Sequence, residues 1–283
     1  MRDLLKIGVP GPEMVVIPAG RFRMGAIFGG GDPDEKQAER QWNVTAKGAP
    51  GKLGIGGGTK GGWMGVQGGK LRFLRLQYEC TSWDDGMTAQ SGNADKNLLR
   101  RIREDETVSF PVATEGEKIT IDELRSFKRN LAPPFVFMTG EGSFRLNAGE
   151  KKILSDYLFK EGGMLFATPG DQRWARSFEG VIAEVCGRPM LTVAKDDEIH
   201  RLPYELPNGI DHLWQHGGRD ARGIREGRRW AVYYHPGDIN DAWKDGASGL
   251  DAQKRENAFV LANNVIFHAF KNYVEAVMKR QQK

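Results

Sequence analysis

Apolar runs and helical periodicities alternate along the chain from about Leu71 to its end. Short apolar runs predict strands at Leu71–Tyr78, Val108–Val112, Phe135–Met138, Met164–Ala167, Met190–Val193 and Trp230–Tyr234. Apolar residues at helical spacing predict helices from Asn93 or Asp95 to Arg103, and at Ile121–Asn130, Asn147–Lys160, Trp174–Cys186 and Ala252–Met278. The runs that begin at Phe135 and Met164 contain no polar residue, which is typical of strands buried on both faces. We therefore predict an α/β fold in which an open, mostly parallel sheet carries helices on both faces.

Residues 1–70 have a different pattern. An apolar run, a Pro-Ala-Gly turn and the alternating residues Phe22 and Met24 predict a hairpin within residues 1–25. Residues 26–70 are rich in glycine, as flexible linkers are, but they also contain Trp42 and Trp63. A plain spacer has little use for tryptophan, so this segment favours an arm that docks on a neighbouring surface. Residues 71–283 form the predicted α/β domain.

Charge and cysteine usage exclude several classes of protein. Lys and Arg total 41 and Asp and Glu total 37, and the basic residues are interspersed with acidic ones. Nucleic-acid binders concentrate basic residues on one face, so we expect no nucleic-acid partner. Cys80 and Cys186 lie far apart without metal-ligand spacing, which favours two free thiols. We predict neither a cofactor nor a metal.

The sequence also bears on location. No stretch approaches the roughly 20 apolar residues that span a bilayer, so we expect no membrane span. The first residues lack the apolar core of a secretory signal. We expect a cytoplasmic protein, or a periplasmic one if a signal peptide has been removed.

Four loops are the places where chemistry is expected. In open parallel sheets, ligands bind beyond the carboxyl ends of the strands, and the predicted loops there are Glu79–Gly86, Gly140–Phe144, Thr168–Trp174 and His235–Trp243. If these loops meet on one edge, the candidate ligand-binding residues are Trp83, Asp84, Glu141, Asp171, Arg173, His235 and Asp238. The candidate catalytic residues are Asp171, Glu141, His235 and His200, because carboxylates and imidazoles perform acid–base chemistry.

Each candidate also has a structural interpretation. Asp84 lies in a glycine-containing turn and Asp171 precedes a helix, so the first is typical of a turn former and the second of a helix cap. Trp83 is as suited to core packing as to stacking on a ligand. His212 and His216 have the i, i+4 spacing of metal ligands on a helix, but no third ligand accompanies them.

From Arg72 to Tyr273 the chain resembles a bacterial family known as domain of unknown function 4159. The resemblance rests on Phe73–Tyr78 with Trp83 and Asp84, Asn97–Leu99, Phe137–Phe144, Gly162–Phe166, Arg176–Phe178, the His200 loop and Arg229–Trp243. It implies a flavodoxin-like fold of the class I glutamine-amidotransferase type, in which a nucleophilic cysteine occupies the turn after a central strand. Here that turn is Thr168–Asp171 without cysteine, and Glu141 stands where relatives often have histidine.

A shorter resemblance concerns the N-terminus. Glu13–Gly25, with Asp34–Lys36 after it, resembles the opening of the formylglycine-generating-enzyme (sulfatase-modifying) domain. The catalytic cysteines of that domain have no counterpart here, so no activity is implied.

Together these observations predict a non-catalytic amidotransferase-like domain that binds a small polar ligand or a protein partner. The N-terminal arm is expected to dock on a neighbouring subunit, which would make the protein a homo-oligomer or part of an assembly. One alternative is a hydrolase that uses a carboxylate and a histidine at the carboxyl edge of the sheet. Another is a structural subunit of a larger assembly.

Overall fold

A computed structural model of the chain describes residues 71–105, 111–127, 132–206, 209, 213–214, 216–246 and 249–281. The predicted hairpin of residues 1–25 and the glycine-rich arm of residues 26–70 lie outside these ranges. The larger of two compact units consists of Arg72–Ile102 and Ala113–Lys283. In the smaller unit, Leu71 and Val112 form an isolated parallel bridge.

The larger unit is built on one sheet, which has seven strands among the described residues. The strands are β1 (Leu74–Gln77), β2 (Glu117–Thr120), β3 (Phe135–Met138), β4 (Met164–Ala167), β5 (Leu191–Thr192), β6 (Arg222–Glu226) and β7 (Arg229–Tyr234). Their order across the sheet is β2-β1-β3-β4-β7-β6-β5. The first five strands in this order, β2, β1, β3, β4 and β7, pair in parallel. The last two, β6 and β5, form an antiparallel edge. The predicted open, mostly parallel sheet is therefore confirmed.

Five α-helices are described beside this sheet: α1 (Ala94–Arg103), α2 (Ala148–Phe159), α3 (Gln172–Cys186), α4 (Ile239–Trp243) and α5 (Ala252–Gln281). Single 3-10 turns lie at Asp122–Ser126 and Glu198–His200. Asn147 caps α2 with a capping box, in which its side chain accepts from the Glu150 N–H and Glu150 bonds back to Asn147 N–H. None of the described helices is long and apolar enough to cross a membrane.

One face of the sheet is covered by α4 and α5. The register aligns Arg75 with Phe137, Phe166 and Tyr233 across four parallel strands, and side chains in register lie on the same face. Trp243 at the end of α4 contacts this row, with ring centroids 5.6 Å from Phe137 and 6.0 Å from Phe166. A charged residue, Arg75, therefore lies within an aromatic layer.

The opposite face is covered by α2 and α3. Tyr234 follows Tyr233 in β7 and so points the other way, where its ring stacks on Phe178 of α3 at 5.0 Å. Phe178 in turn stacks on Trp174 at 4.8 Å with an interplanar angle of 11°. Helices thus cover both faces of the sheet, as predicted.

The structure corrects several predicted elements. The predicted strand Val108–Val112 lies mostly outside the described residues. The strand β2, which pairs with β1, was not predicted, and in its Glu-Lys-Ile-Thr sequence only Ile119 is buried. The described part of the predicted helix Ile121–Asn130 is a 3-10 turn that ends where Phe127 becomes extended. The predicted loop His235–Trp243 contains α4, and β6 lies in a stretch with little apolar pattern.

Candidate functional site

Three loops at the carboxyl edge of the sheet interlock through their backbones. The loop after β1 meets the loop after β3 in an antiparallel bridge between Thr81 and Glu141, where Glu141 N donates to Thr81 O at 2.7 Å. The loop after β3 meets the loop after β4 where Gly170 N donates to Gly140 O at 2.9 Å. We call residues 79–86, 139–144 and 168–171 the rim. Three of the four loops that were predicted to meet are therefore joined through their backbones.

Ser82 and Glu141 form the most unusual local geometry of the rim. Ser82 has a φ of 55°, in the left-handed region that non-glycine residues seldom adopt. Its hydroxyl donates to Oε2 of Glu141 at 3.3 Å. Because such a conformation carries strain, it is maintained where the surrounding contacts fix it, and strained residues cluster at functional sites.

Asp171 holds both sides of the rim. Its Oδ1 accepts the N–H of Trp174 at 2.7 Å, so the residue is the N-cap of α3. Its Oδ2 accepts the N–H of Gly142 at 3.1 Å and the Nε–H of Arg173 at 3.3 Å. Burial alone would raise the pKa of Asp171, but these donors outweigh it and lower the pKa. Arg173 extends into solvent, with 69% of its side chain exposed.

Cys80 lies beside Gly140 at the inner side of the rim. A Cβ at Gly140 would come within 2.6 Å of Cys80 Sγ and 2.9 Å of both Trp174 Nε1 and Tyr78 Oη, so three side chains converge on this backbone. Tyr78 donates its hydroxyl proton to Thr139 O at 2.8 Å. Burial raises the pKa of the Cys80 thiol to about 11, with nearby Asp84 adding to the effect. The thiol is therefore protonated at neutral pH, and only the thiolate is a good nucleophile.

His235 and Asp238 belong to a buried turn after β7. His235 Nδ1 lies 2.7 Å from Gly237 O and 3.1 Å from Gly237 N. The Thr168 hydroxyl donates to Gly237 O at 3.0 Å and accepts from Ile239 N at 3.1 Å. Asp238 caps α4 by accepting the Asp241 N–H at 3.1 Å. Burial, together with Asp241, raises the pKa of Asp238 well above its usual range.

His200 lies in a different environment, in the 3-10 turn after β5. Its Nε2 lies 2.9 Å from the Tyr233 hydroxyl and its Nδ1 lies 3.0 Å from Ala194 O. Burial lowers the pKa of His200, so the imidazole is neutral at pH 7. These contacts connect it to Tyr233 near the carboxyl end of β7 and to the loop after β5, rather than to the rim residues. His216 is half-buried, and His212 lies outside the described residues.

Trp83 and Asp84 lie on the outer part of the loop after β1. Asp84 is exposed, and its carbonyl accepts the Met87 N–H at 3.0 Å, which is a turn contact. Trp83 is half-buried, and its carbonyl lies 3.5 Å from Arg75 Nη1. The rim thus places Asp84, Glu141 and Asp171 at one edge of the sheet, and Arg173 follows at the start of α3. His235 and Asp238 are buried beside it.

A buried polar network beneath the rim was not among the predicted site residues. Arg75 is fully buried, and its guanidinium bonds to both oxygens of Asp95, to Asn240 Oδ1 at 2.9 Å and to Asp85 O at 2.6 Å. It also lies over the Phe137 ring, 5.0 Å from the centroid. An arginine inside a predicted strand was the available sequence signal, but its partners are up to 165 residues away.

The part of the chain that the structure describes contains no group of three or more His, Cys, Asp or Glu side chains that could hold a metal ion. The fold and the rim define an α/β protein whose polar residues gather at the carboxyl edge of a mostly parallel sheet. The model of the family described as Domain of unknown function (DUF4159) matches residues 72–270, and the chain belongs to this family. No curated protein matches the chain.

Proposed function

We propose that this domain binds a small polar ligand in the crevice between the carboxyl ends of β1 and β3, without catalysing a reaction on it. Counted along the chain, the five parallel strands have the order 2-1-3-4-5, which is the order of flavodoxin-like folds. This order supports the resemblance to the class I glutamine-amidotransferase fold. In such sheets the ligand lies at the point where the strand order reverses, here between β1 and β3.

The observation that carries the proposal is the Ser82–Glu141 contact at this reversal point. Ser82 keeps its strained backbone conformation while its hydroxyl contacts a half-buried carboxylate on the neighbouring loop. Glu141 can accept hydrogen bonds from ligand hydroxyl or amino groups, and the exposed Arg173 guanidinium offers donors nearby. A polar ligand is therefore favoured over an apolar one.

The absence of cysteine from the turn Thr168–Asp171 and the raised pKa of the Cys80 thiol favour ligand binding over catalysis. The turn Thr168–Asp171, where the amidotransferase resemblance implies a nucleophilic cysteine, carries Gly170 packed against Gly140 O, which a Cβ would approach within 3.0 Å. Cys80 lies after β1 instead, and its thiol pKa is raised to about 11.

The rival proposal is a hydrolase that uses Asp171 or Glu141 with His235 or His200. Asp171 already accepts two backbone N–H groups, and His200 bonds to Tyr233, so these contacts favour structural roles. Turnover of an amide or ester substrate that Asp171→Ala abolishes without unfolding the protein would support the rival, whereas loss of the fold would indicate a structural cap.

The ligand proposal is tested on protein purified gently from its own host. Native mass spectrometry should show a constant small adduct on the chain. A thermal-shift screen with sugars, polyols, amino acids and nucleotides should then give a compound that raises the Tm.

Variants locate the site. Glu141→Gln and Ser82→Ala should each remove the Tm increase caused by that compound. Ser143→Ala alters an exposed serine of the same loop and should preserve the increase. The proposal fails if neither adduct nor shift is found, or if the shift survives in both rim variants.

A second proposal concerns assembly. Trp42 and Trp63 in the glycine-rich segment favour an arm, residues 26–70, that docks on a neighbouring subunit. Deletion of residues 1–70 should convert an oligomer or mixed complex to single chains in native mass spectrometry, and an unchanged complex would contradict docking.

A further inference from the structure

The loop after β1, which carries Ser82, is held from below by buried charge. Arg75 Nη1 donates to Asp85 O at 2.6 Å and lies 3.5 Å from Trp83 O. Backbone carbonyls in a loop ordinarily bond to water, so contact with a fully buried guanidinium is a specific attachment. Hydrogen bonds from a charged donor are among the stronger ones in proteins.

Asn240 of α4 completes this attachment. Its Oδ1 accepts from Arg75 Nη2 at 2.9 Å, and its Nδ2 donates to Asp85 O at 3.1 Å. Lys244, after α4, donates to the Asp85 side chain at 2.5 Å. The packing is close, because a Cβ at Gly86 would lie 2.9 Å from Asn240 Oδ1. The same loop residue is thus held by β1, by α4 and by Lys244.

We infer that Arg75 and Asn240 are positioning residues that fix the loop after β1 and, through it, the proposed ligand crevice. The connection is continuous: the loop that they hold contains Thr81 and Ser82, and both of these residues contact Glu141. This inference rests on the proposed function, because the position of the loop matters only if the crevice beside it binds a ligand. Loss of the network would also lower the overall stability of the domain. The experiment therefore distinguishes local loosening of residues 79–86 from global destabilisation.

Hydrogen–deuterium exchange of the full chain without ligand tests the inference. The reporter amides are Asp85 and Met87, which donate to Ser82 O and Asp84 O, and Glu141, which donates to Thr81 O. In Asn240→Ala we expect exchange at these amides to accelerate by about tenfold or more, since the hydrogen bonds of Asn240 to Arg75 and to Asp85 are lost. Amides of β4 should keep their wild-type rates.

Asn97→Ala is the matched control. Asn97 is a buried asparagine whose Nδ2 joins α1 to Trp243 O at 2.9 Å and to Asp245 Oδ1 at 3.0 Å. Among the described residues its side-chain hydrogen bonds go to Gly92, Trp243 and Asp245 and not to residues 79–86. It should leave the reporter amides within about twofold of wild type. If Asn240→Ala does not fold, Lys244→Met replaces it. This variant removes the contact of the half-buried Lys244 side chain with Asp85 and should accelerate exchange at the same amides.

The outcomes separate this inference from the proposed function. Equal acceleration by Asn240→Ala and Asn97→Ala, or acceleration spread evenly over the sheet, would overturn the positioning role. Selective acceleration supports it, even if the thermal-shift screen finds no ligand and the proposed function fails. A compound from the screen that binds Asn240→Ala and wild type with equal affinity would overturn it as well.

Discussion

Replacing Arg75 with methionine should destabilise the domain more than most single substitutions. Asp95 is fully buried, and the guanidinium of Arg75 bonds to both of its oxygens. Removing one partner of such a pair leaves an uncompensated charge, which costs about 3–5 kcal/mol. Domains of this kind are stable by about 5–15 kcal/mol, so the loss is a large fraction of the total. The aliphatic methionine still packs on Phe137.

The cost of Arg75→Met should also depend on pH. Burial raises the pKa of Asp95, while Arg75 opposes that increase. Without Arg75 the folded-state pKa of Asp95 rises further above its unfolded value of about 3.9, so the folded state binds the extra proton first. As pH falls through that raised pKa, the carboxyl becomes neutral and part of the lost stability returns. The free-energy difference from wild type should therefore be smaller at pH 5 than at pH 8.

Urea denaturation followed by far-UV circular dichroism measures these differences for Arg75→Met, Asp95→Leu and the double variant. The double variant removes both charges. Its loss of unfolding free energy should therefore be at least about 1.5 kcal/mol smaller than the summed losses of the two single variants. A loss below about 1 kcal/mol for Arg75→Met, or additivity within about 0.5 kcal/mol, would refute a coupled buried pair.

Two further predictions concern packing and protonation. Gly140→Ala should lower the free energy of unfolding by about 1–3 kcal/mol, because the added Cβ would overlap Cys80. Gly180→Ala should raise it by about 0.5–1 kcal/mol, because Gly180 lies on an exposed part of α3 with no atom within 4 Å of the added Cβ. Thermal denaturation of both variants shows whether the two changes in stability have opposite signs. Burial lowers the pKa of His268 to about 4 against opposing effects of Glu198, so the unfolded state binds more protons between pH 6.5 and 4 and stability falls as pH drops through that window. His268→Gln retains a donor for Glu198 O. Between pH 7 and 4.5 the unfolding free energy of this variant should fall less steeply than that of the wild type. The same pH dependence in both proteins would contradict a lowered pKa for His268.

The strongly apolar elements could be predicted from the sequence because their burial is encoded locally. Phe135–Met138 and Met164–Ala167 are strands at their predicted bounds, and α2 begins at its predicted cap, Asn147. Glu117–Thr120 and Arg222–Glu226 could not be predicted in this way, since they are polar strands defined by their neighbours' hydrogen bonds.

The site was predictable in outline only. The carboxyl-edge rule placed Glu141 and Asp171 on neighbouring loops because it depends on strand direction alone. It could not find Asn240, whose importance comes from contacts with Arg75 and Asp85 far away in sequence. It also could not show that the ring of His200, a candidate catalytic residue, bonds to Tyr233, which is 33 residues away in the sequence.

The aromatic stack of Trp174, Phe178 and Tyr234 gives the molecule an internal optical reporter. Its rings belong to α3 and β7 and are stacked at 4.8 and 5.0 Å, so their transitions are held in a fixed asymmetric arrangement. Near-ultraviolet dichroism depends on such fixed packing and is lost in states that keep only secondary structure. Loosening of α3 from the sheet would therefore be visible as a lost near-ultraviolet signal while the far-ultraviolet spectrum remained.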